Sequence, residues 1–161
     1  MFDSDVLHLK NIGIDLEQLG SYEILCLPEN SETATSSAEL FDASDSILLS
    51  KMLKGAGAKC ANSFDVGIGT PTLDRRSDEL WLGLIWLMSD GAWPFLINVA
   101  SNMFTDRIRG VFSSSTVHIK LRWRKGENLE KLDFHGDSVT LLKVLESIQK
   151  PPEKQKSEVP E

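Results

Sequence analysis

The residue types best suited to chemistry lie in two short segments near the C-terminal end of the chain, 116–124 and 129–135. Apolar and polar residues alternate strictly in the first segment, which is typical of a half-buried strand, and a short turn leads to the second. Antiparallel pairing across that turn places His118 opposite His135 on the polar face. That face is predicted to bind a protein partner or an anion through six side chains: His118, Lys120, Arg122, Arg124, Lys131 and His135.

The two facing histidines have the chemistry of a pH-sensitive or metal-binding pair. A zinc site made from Cys26, Cys60, His118 and His135 has suitable ligand atoms, but it lacks the short Cys-x-x-Cys or His-x-x-x-His spacing that places two ligands on one turn. We therefore predict no metal and no cofactor, with two core thiols and two surface imidazoles. The alternative for the whole polar face is a solvated surface whose charges discourage edge pairing.

Two other motifs lack the residues that catalysis needs. The glycines of the segment 66–70 are predicted to relieve crowding in a twisted strand. The alternative is an anion site at the N-terminus of the following helix, formed by four residues: Thr70, Thr72, Arg75 and Arg76. The Gly-x-Gly-x-x-Gly and Gly-Lys-Ser/Thr spacings are missing there. The block at 136–138 resembles the Gly-Asp-Ser block of serine esterases, but only 23 residues follow Ser138 and none is histidine. Asp137 and Ser138 are instead predicted to cap a helix, and we expect a non-enzyme.

Charge is distributed unevenly along the chain, whose formal net charge is −7. Residues 1–90 carry 15 acidic against 6 basic side chains, whereas residues 91–161 carry 9 against 11. This distribution favours a protein partner and disfavours nucleic acid.

The acidic N-terminus lacks the pattern of a secretory signal, and Cys26 and Cys60 lie in apolar stretches as reduced thiols do, so we expect a cytoplasmic protein. A disulfide between the two is the alternative.

The elements that must position these residues predict an α+β fold, with a small mixed or antiparallel sheet that contains a C-terminal β-hairpin and is covered on one face by about four helices. Residues 1–150 are expected to form one domain and 151–161 a disordered tail. Residues 5–20 fit a short helix or an edge strand equally well. The predicted strands are about 21–27, 58–69, 116–124 and 129–135, and the predicted helices are 37–54, 73–89, 91–111 and 137–149.

The apolar run from Leu80 to Met88 is the sharpest local signal. It is apolar on all sides, so we predict a central core helix. Nine residues rise only about 13 Å, short of the roughly 30 Å of a bilayer core, and extension to Phe104 brings in Asp90 and other polar residues. A membrane span is therefore disfavoured.

The start of the helix predicted over 37–54 is taken from the Ser-x-x-Glu spacing of Ser36 and Glu39, which matches a capping box.

The predicted order of elements over about 79–148 is apolar helix, break, amphipathic helix, strand, turn, strand and leucine-rich helix. This order resembles the effector-associated constant components that accompany nucleotide-binding and protease modules in bacterial conflict systems. The usual tryptophan-leucine signature at the end of the second helix is replaced here by 107–109, Arg-Ile-Arg. The resemblance implies a non-catalytic adaptor that docks effectors, and it transfers no functional residue.

These observations predict a protein-binding adaptor or accessory module, and the resemblance implies that it is a component of a bacterial defence system. The alternative is an immunity or inhibitor protein whose acidic first half masks a basic toxin site. A third alternative is a peripheral membrane component that uses the apolar region 80–104. The sequence leaves the oligomeric state open.

Overall fold

A computed structural model of the chain describes residues 3–68, 70–73, 79–110 and 116–149. The predicted tail 151–161, and the anion-site candidates Arg75 and Arg76, lie outside the described residues. The helices are α1 (Asp3–Asn11), α2 (Ser44–Gly55), α3 (Ala92–Gly110) and α4 (Ser138–Gln149). The strands are β1 (Ile24–Leu27), β2 (Asp42–Ala43), β3 (Cys60–Asn62), β4 (Thr72–Leu73), β5 (Leu80–Leu87), β6 (Thr116–Lys125) and β7 (Asn128–Asp137).

The fold is α+β, as predicted. Five strands form one mixed sheet in the order β3-β1-β5-β6-β7, and β2 pairs with β4 in a separate two-stranded sheet. Within the large sheet, β1 is parallel to β3 and antiparallel to β5, β5 is parallel to β6, and β6 is antiparallel to β7. The C-terminal hairpin therefore occupies one side of the sheet, with β7 at its edge.

The predicted helix 73–89 is wrong, because β5 is the central strand of the sheet. It pairs with β1 on one side and with β6 on the other, and seven of its eight residues are buried. A strand that is covered on both faces shows a continuous apolar run, which periodicity alone does not distinguish from a buried helix. The short length of the run, which forms a strand of eight residues, is the property that favours a strand.

The predicted hairpin register is confirmed. Leu121 lies opposite Leu132 and Ile119 opposite Phe134, while His118 lies opposite His135 on the other face. The turn contains Gly126 with φ +67°, a left-handed conformation that glycine adopts without steric cost. The alternating pattern succeeded here because only one register puts both apolar sets on one face.

The two faces of the sheet are covered by different parts of the chain. Helices α2, α3 and α4 pack on one face, where the main core contains Leu121 and Leu145. The second face is covered by α1 and the segment that follows it, through residues such as Leu9 and Ile14, which pack with Leu84 and Trp86. The segment 5–20, which the sequence leaves open, thus forms most of α1 and the turns that close the second face.

Two further boundaries differ from the prediction. The helix expected over 37–54 is interrupted: a 3-10 helix covers Ser37–Glu39, and the α-helix begins only at Ser44. Ser36 makes no side-chain cap, and Glu39 accepts hydrogen bonds from Thr35 instead. The strand expected over 58–69 is only β3, since the chain turns after Asn62. Asn62 Oδ1 accepts from the two amides that follow at 64 and 65, and this side-chain turn ends the strand.

The described helices include none that combines the length and the apolar character needed to cross a membrane. The region 80–104, which carried the membrane alternative, contributes instead to the core. Its buried side chains include Leu82, Ile85, Leu96 and Phe104, which are 0 to 1% exposed.

Candidate functional site

Three aromatic side chains form a row across three neighbouring strands. Trp81 of β5 lies beside His118 of β6, and His118 lies beside His135 of β7. The rings of Trp81 and His118 are stacked, with centroids 3.5 Å apart and an angle of 4° between their planes. The two histidine rings are 4.1 Å apart at 26°. The row lies on the face of the sheet opposite α2, α3 and α4, and we call it the histidine row.

Glu79 extends the histidine row at the start of β5. Its Oε1 lies 2.5 Å from Nε2 of His118. One potential ligand atom from each of Glu79, His118 and His135 lies within 4.8 Å of the others. Glu79 and His118 are half-buried and His135 is exposed, so solvent reaches this group from the β7 side.

A cleft of about 230 Å³ opens beside the histidine row. Besides the row, its walls include Glu29, Lys120 and Asp133, and Gly83 lies on the β5 side. Gly83 has φ +75° at a register shift between β5 and β6, and a Cβ there would lie 3.4 Å from Ser46 Cβ. A bulge with a glycine therefore shapes this wall, because a larger residue would be strained there and its Cβ would be crowded against α2 on the opposite face.

A larger cleft, of about 520 Å³, lies between α1 and the end of β5. Its charged residues are of both signs: Lys10, Asp15, Glu17 and Arg124. Trp86 also lines it, and its Nε1 has no hydrogen-bond partner within the described part of the chain. These groups form no set suited to one chemistry, whereas the smaller cleft brings two imidazoles and a carboxylate together. We therefore assign the candidate site to the histidine row.

Arg122 is the most deeply buried charged group of the predicted basic face, with 3% of its side chain exposed. Its Nε and one terminal nitrogen donate to the two carboxylate oxygens of Glu32, each at 2.7 Å, and its other terminal nitrogen donates to Asp133. Burial by itself would lower the pKa of Arg122, but the hydrogen bonds to Glu32 and Asp133 outweigh it and raise the pKa. This guanidinium links the hairpin to Glu32 in the loop between β1 and β2.

The structure brings the six predicted surface residues onto one face but engages several of them within the chain. His118 contacts Glu79, Arg122 binds Glu32 and Asp133, and Lys131 Nζ lies 3.1 Å from Asp5 Oδ2. Arg124 is exposed near the larger cleft, and Lys120 and His135 line the smaller one. Carboxylates of the same chain thus offset much of the positive charge of this face. That the face binds a protein partner or an anion stays a prediction.

The two cysteines lie apart from the histidines. Cys26 and Cys60 belong to the core under the helices, whereas His118 and His135 lie on the opposite face. The two sulfur atoms are 3.8 Å apart, well beyond the roughly 2.05 Å of a disulfide. The hydrogen bond with Cys60 and burial both raise the pKa of Cys26, which keeps it a neutral thiol. The described positions therefore do not bring the four candidate zinc ligands together.

The chain matches no family model, no curated protein and no solved structure. The resemblance to components of bacterial conflict systems therefore stays a prediction, and the order of elements that carried it now begins with β5 in place of a helix.

Sequence reasoning missed Glu79 and Trp81. Both belong to the segment 73–89 that the sequence predicts as a helix, and a helix gives no reason to place them beside His118 in a parallel strand. One signal was present: Glu79 directly precedes the apolar run, and a strand interpretation of 80–87 would have placed Trp81 and Trp86 at defined positions in the sheet.

Proposed function

We propose that this chain is a non-catalytic protein-binding module that takes up an extended segment of its partner alongside β7. The observation that carries the proposal is the edge position of β7, which pairs with β6 along all ten of its residues on one side. Among the described strands, none pairs with its other side. Alternate main-chain N–H and C=O groups of such an edge strand point outward, and an added strand can bind them.

The side chains of β7 suggest the chemistry of that segment. Leu132 and Phe134 are half-buried on the face toward α4, and Val139 nearby is 50% exposed. On the other face, Asp133 and His135 are exposed beside the cleft. We therefore expect a partner segment with apolar residues at alternate positions next to Leu132 and Phe134, and with polar residues between them.

The contacts of the acidic residues favour this proposal over an immunity or inhibitor function. A protein that masks a basic toxin site needs acidic side chains at its surface. In this chain, several carboxylates of the first half bind within the fold: Asp5 to Lys131, Glu32 to Arg122, Asp42 to Ser63 and Thr70, and Asp65 to Lys54. The acidic surface available to a toxin is smaller than the sequence suggests.

The buried apolar region also weakens the third alternative, a peripheral membrane component. Trp86 and Phe104 are 2% and 1% exposed, so these side chains are not at the surface where lipid would contact them.

The proposal includes a cytoplasmic location and a role as an adaptor in bacterial defence. No disulfide joins the thiols of Cys26 and Cys60, and reduced thiols are consistent with a reducing compartment.

Selection of peptides from a random display library, followed by hydrogen exchange on the complex, tests this function. The expected peptides alternate apolar and polar residues and protect amides of β7 from exchange. Adjacent N–H groups of an antiparallel strand point to opposite sides, so Glu130→Pro and Lys131→Pro form a matched pair. In the variant whose lost N–H points to β6, the proline removes a ladder hydrogen bond and lowers stability. In the variant whose lost N–H points outward, which we call the edge-side variant, the proline removes only a donor at the open edge.

The edge-side proline variant is expected to retain its fold and to lose peptide binding. Three results would overturn the proposal: no enrichment of alternating peptides, protection confined to elements other than β7, or equal binding by the edge-side variant. Protection of the outward-facing amides of β7 in the chain alone, before any peptide is added, would show that another part of this chain occupies the edge.

A further inference from the structure

We propose that Glu79, His118 and His135 bind a divalent transition-metal ion, with zinc as the representative case. This inference does not depend on the proposed partner at the β7 edge. It is carried by the approach of three ligand atoms, one from each residue, to within 4.8 Å of one another. Two imidazole nitrogens and one carboxylate oxygen are a common ligand set of three-residue zinc sites.

The distances require only a small adjustment. Ligand atoms around a tetrahedral zinc ion, each about 2.0–2.1 Å from the metal, lie roughly 3.3 Å apart. His118 Nε2 and Glu79 Oε1 are already 2.5 Å apart and would separate slightly to admit the ion. The main movement falls on His135, which is exposed and can turn its ring out of the stack toward the metal.

Position in the sheet holds the ligands in place. His118 and His135 are directly opposite in adjacent antiparallel strands, so their Cβ atoms are held about 5 Å apart by the backbone. Trp81 stacks on His118 at 3.5 Å and fixes the plane of its ring. Two of the three ligands therefore lie on paired strands, and only the rotation of His135 must be ordered on binding.

The donor types select the class of metal. Imidazole nitrogens favour zinc, copper, nickel and iron over calcium and magnesium, which prefer sets of oxygen ligands. Metal binding would replace the hydrogen bond between His118 Nε2 and Glu79 Oε1, because Nε2 must then offer its lone pair to the ion and the neutral ring carries its proton on Nδ1. The adjoining cleft of about 230 Å³ leaves room for a further ligand such as water.

Titration of the full chain, freed of any histidine tag, with zinc chloride in a calorimeter tests the proposal. Cobalt(II) provides a second probe, because its visible absorption band reports tetrahedral coordination. We expect saturable binding of one ion per chain. The exposed His135 is the informative position for substitution, because His135→Ala leaves the core intact.

His135→Ala and Glu79→Gln are each expected to weaken binding by about tenfold or more. The matched control is His8→Gln, which removes the remaining histidine of the chain, located on α1 with its Nε2 3.2 Å from the carbonyl oxygen of Ser31. It should bind zinc as the native chain does, and so should the double variant Cys26→Ala/Cys60→Ala. The proposal fails if the native chain shows no saturable binding, or if His135→Ala or Glu79→Gln binds zinc with native affinity.

Discussion

Replacement of Arg122 by methionine is expected to destabilise the fold strongly. Methionine retains most of the buried length of the side chain but removes the guanidinium, which is 3% exposed and donates to both oxygens of Glu32. The carboxylate of Glu32 then stays partly buried, at 19% exposure, without its two strongest donors. Removal of one partner of a buried ion pair is far more costly than the net contribution of the pair, because the remaining charge is uncompensated.

The expected cost follows from the two halves of the interaction. Breaking a buried pair costs about 3–5 kcal/mol, and Glu32 retains some solvent contact, so we expect the lower end, about 3 kcal/mol. Asp133 is 63% exposed, and an ion pair at such a position contributes about 0–1 kcal/mol. For a domain of this length each kcal/mol shifts Tm by about 2–4 °C, so Arg122→Met should lower Tm by about 6–12 °C.

Thermal and urea unfolding followed by circular dichroism measure this effect, together with a double-mutant cycle. Arg122→Met/Glu32→Gln should recover part of the loss, because no uncompensated charge remains. Lys131→Met is the matched control. Lys131 lies directly opposite Arg122 in the hairpin, and its contact with Asp5 is at the surface, so its loss should shift Tm by only a few degrees.

Two results would contradict the reasoning. If Arg122→Met unfolds at the temperature of the native chain, the guanidinium does not stabilise the cover over the second face. If the coupling energy between Arg122 and Glu32 is close to zero, the destabilisation arises from lost packing of the side chain and not from the ion pair.

Two further predictions test the faces of the hairpin and the cap of α4. Leu121→Ala should destabilise the fold by about 2–5 kcal/mol because Leu121 is fully buried, whereas Lys120→Ala should stay within about 0.5 kcal/mol; equal urea midpoints would contradict the face assignment. Hydrogen bonds from the amide and hydroxyl of Thr140 lower the pKa of Asp137, so the stability that Asp137 adds is present above its ordinary value of 3.8 and is lost as pH falls through the lowered pKa. The Tm difference between the native chain and Asp137→Ala should therefore be full at neutral pH and shrink below 3.8, and a difference that does not change with pH would refute this role.

The hairpin could be predicted from the sequence because its information is local. Strict alternation over 116–124 and a short turn determine which residues face each other, and the observed pairs of His118 with His135 and Leu121 with Leu132 agree with that register. The cap at Asp137 is local in the same sense, since its side chain binds the amide three residues later. Such features need no knowledge of the rest of the chain.

The central strand could not be identified from periodicity, because both of its faces are buried. Leu82 and Ile85 face the helices while Leu84 and Trp86 face the N-terminal cover, and a bulge near Gly83 interrupts the alternation. The error affected the site as well. Glu79 and Trp81 are 39 and 37 positions from His118, and only the parallel pairing of β5 with β6 brings them together.

The burial of Arg122 depends on a contact between residues that are far apart in the sequence. Glu32 lies 90 residues earlier in the chain, in a loop that no local pattern connects to the hairpin. A lone basic residue on the polar face of a strand is normally solvated, and the sequence offers no reason to treat Arg122 differently from Lys120. The tertiary cover over the second face decides the difference.

The extent of that cover also explains where the candidate site lies. Over β1 and the end of β5, the second face is apolar, with Leu25 and Trp86 packed beneath the N-terminal segment. Arg122 of β6, which forms an ion pair with Glu32, lies beside Trp86 of β5, and Lys120 at the cleft separates it along the strand from His118. Beyond it the same face carries Trp81, His118 and His135. Polar ligands at this corner need no burial by the chain itself, so side chains there can be used for binding without loss of the core that Leu25 and Trp86 form.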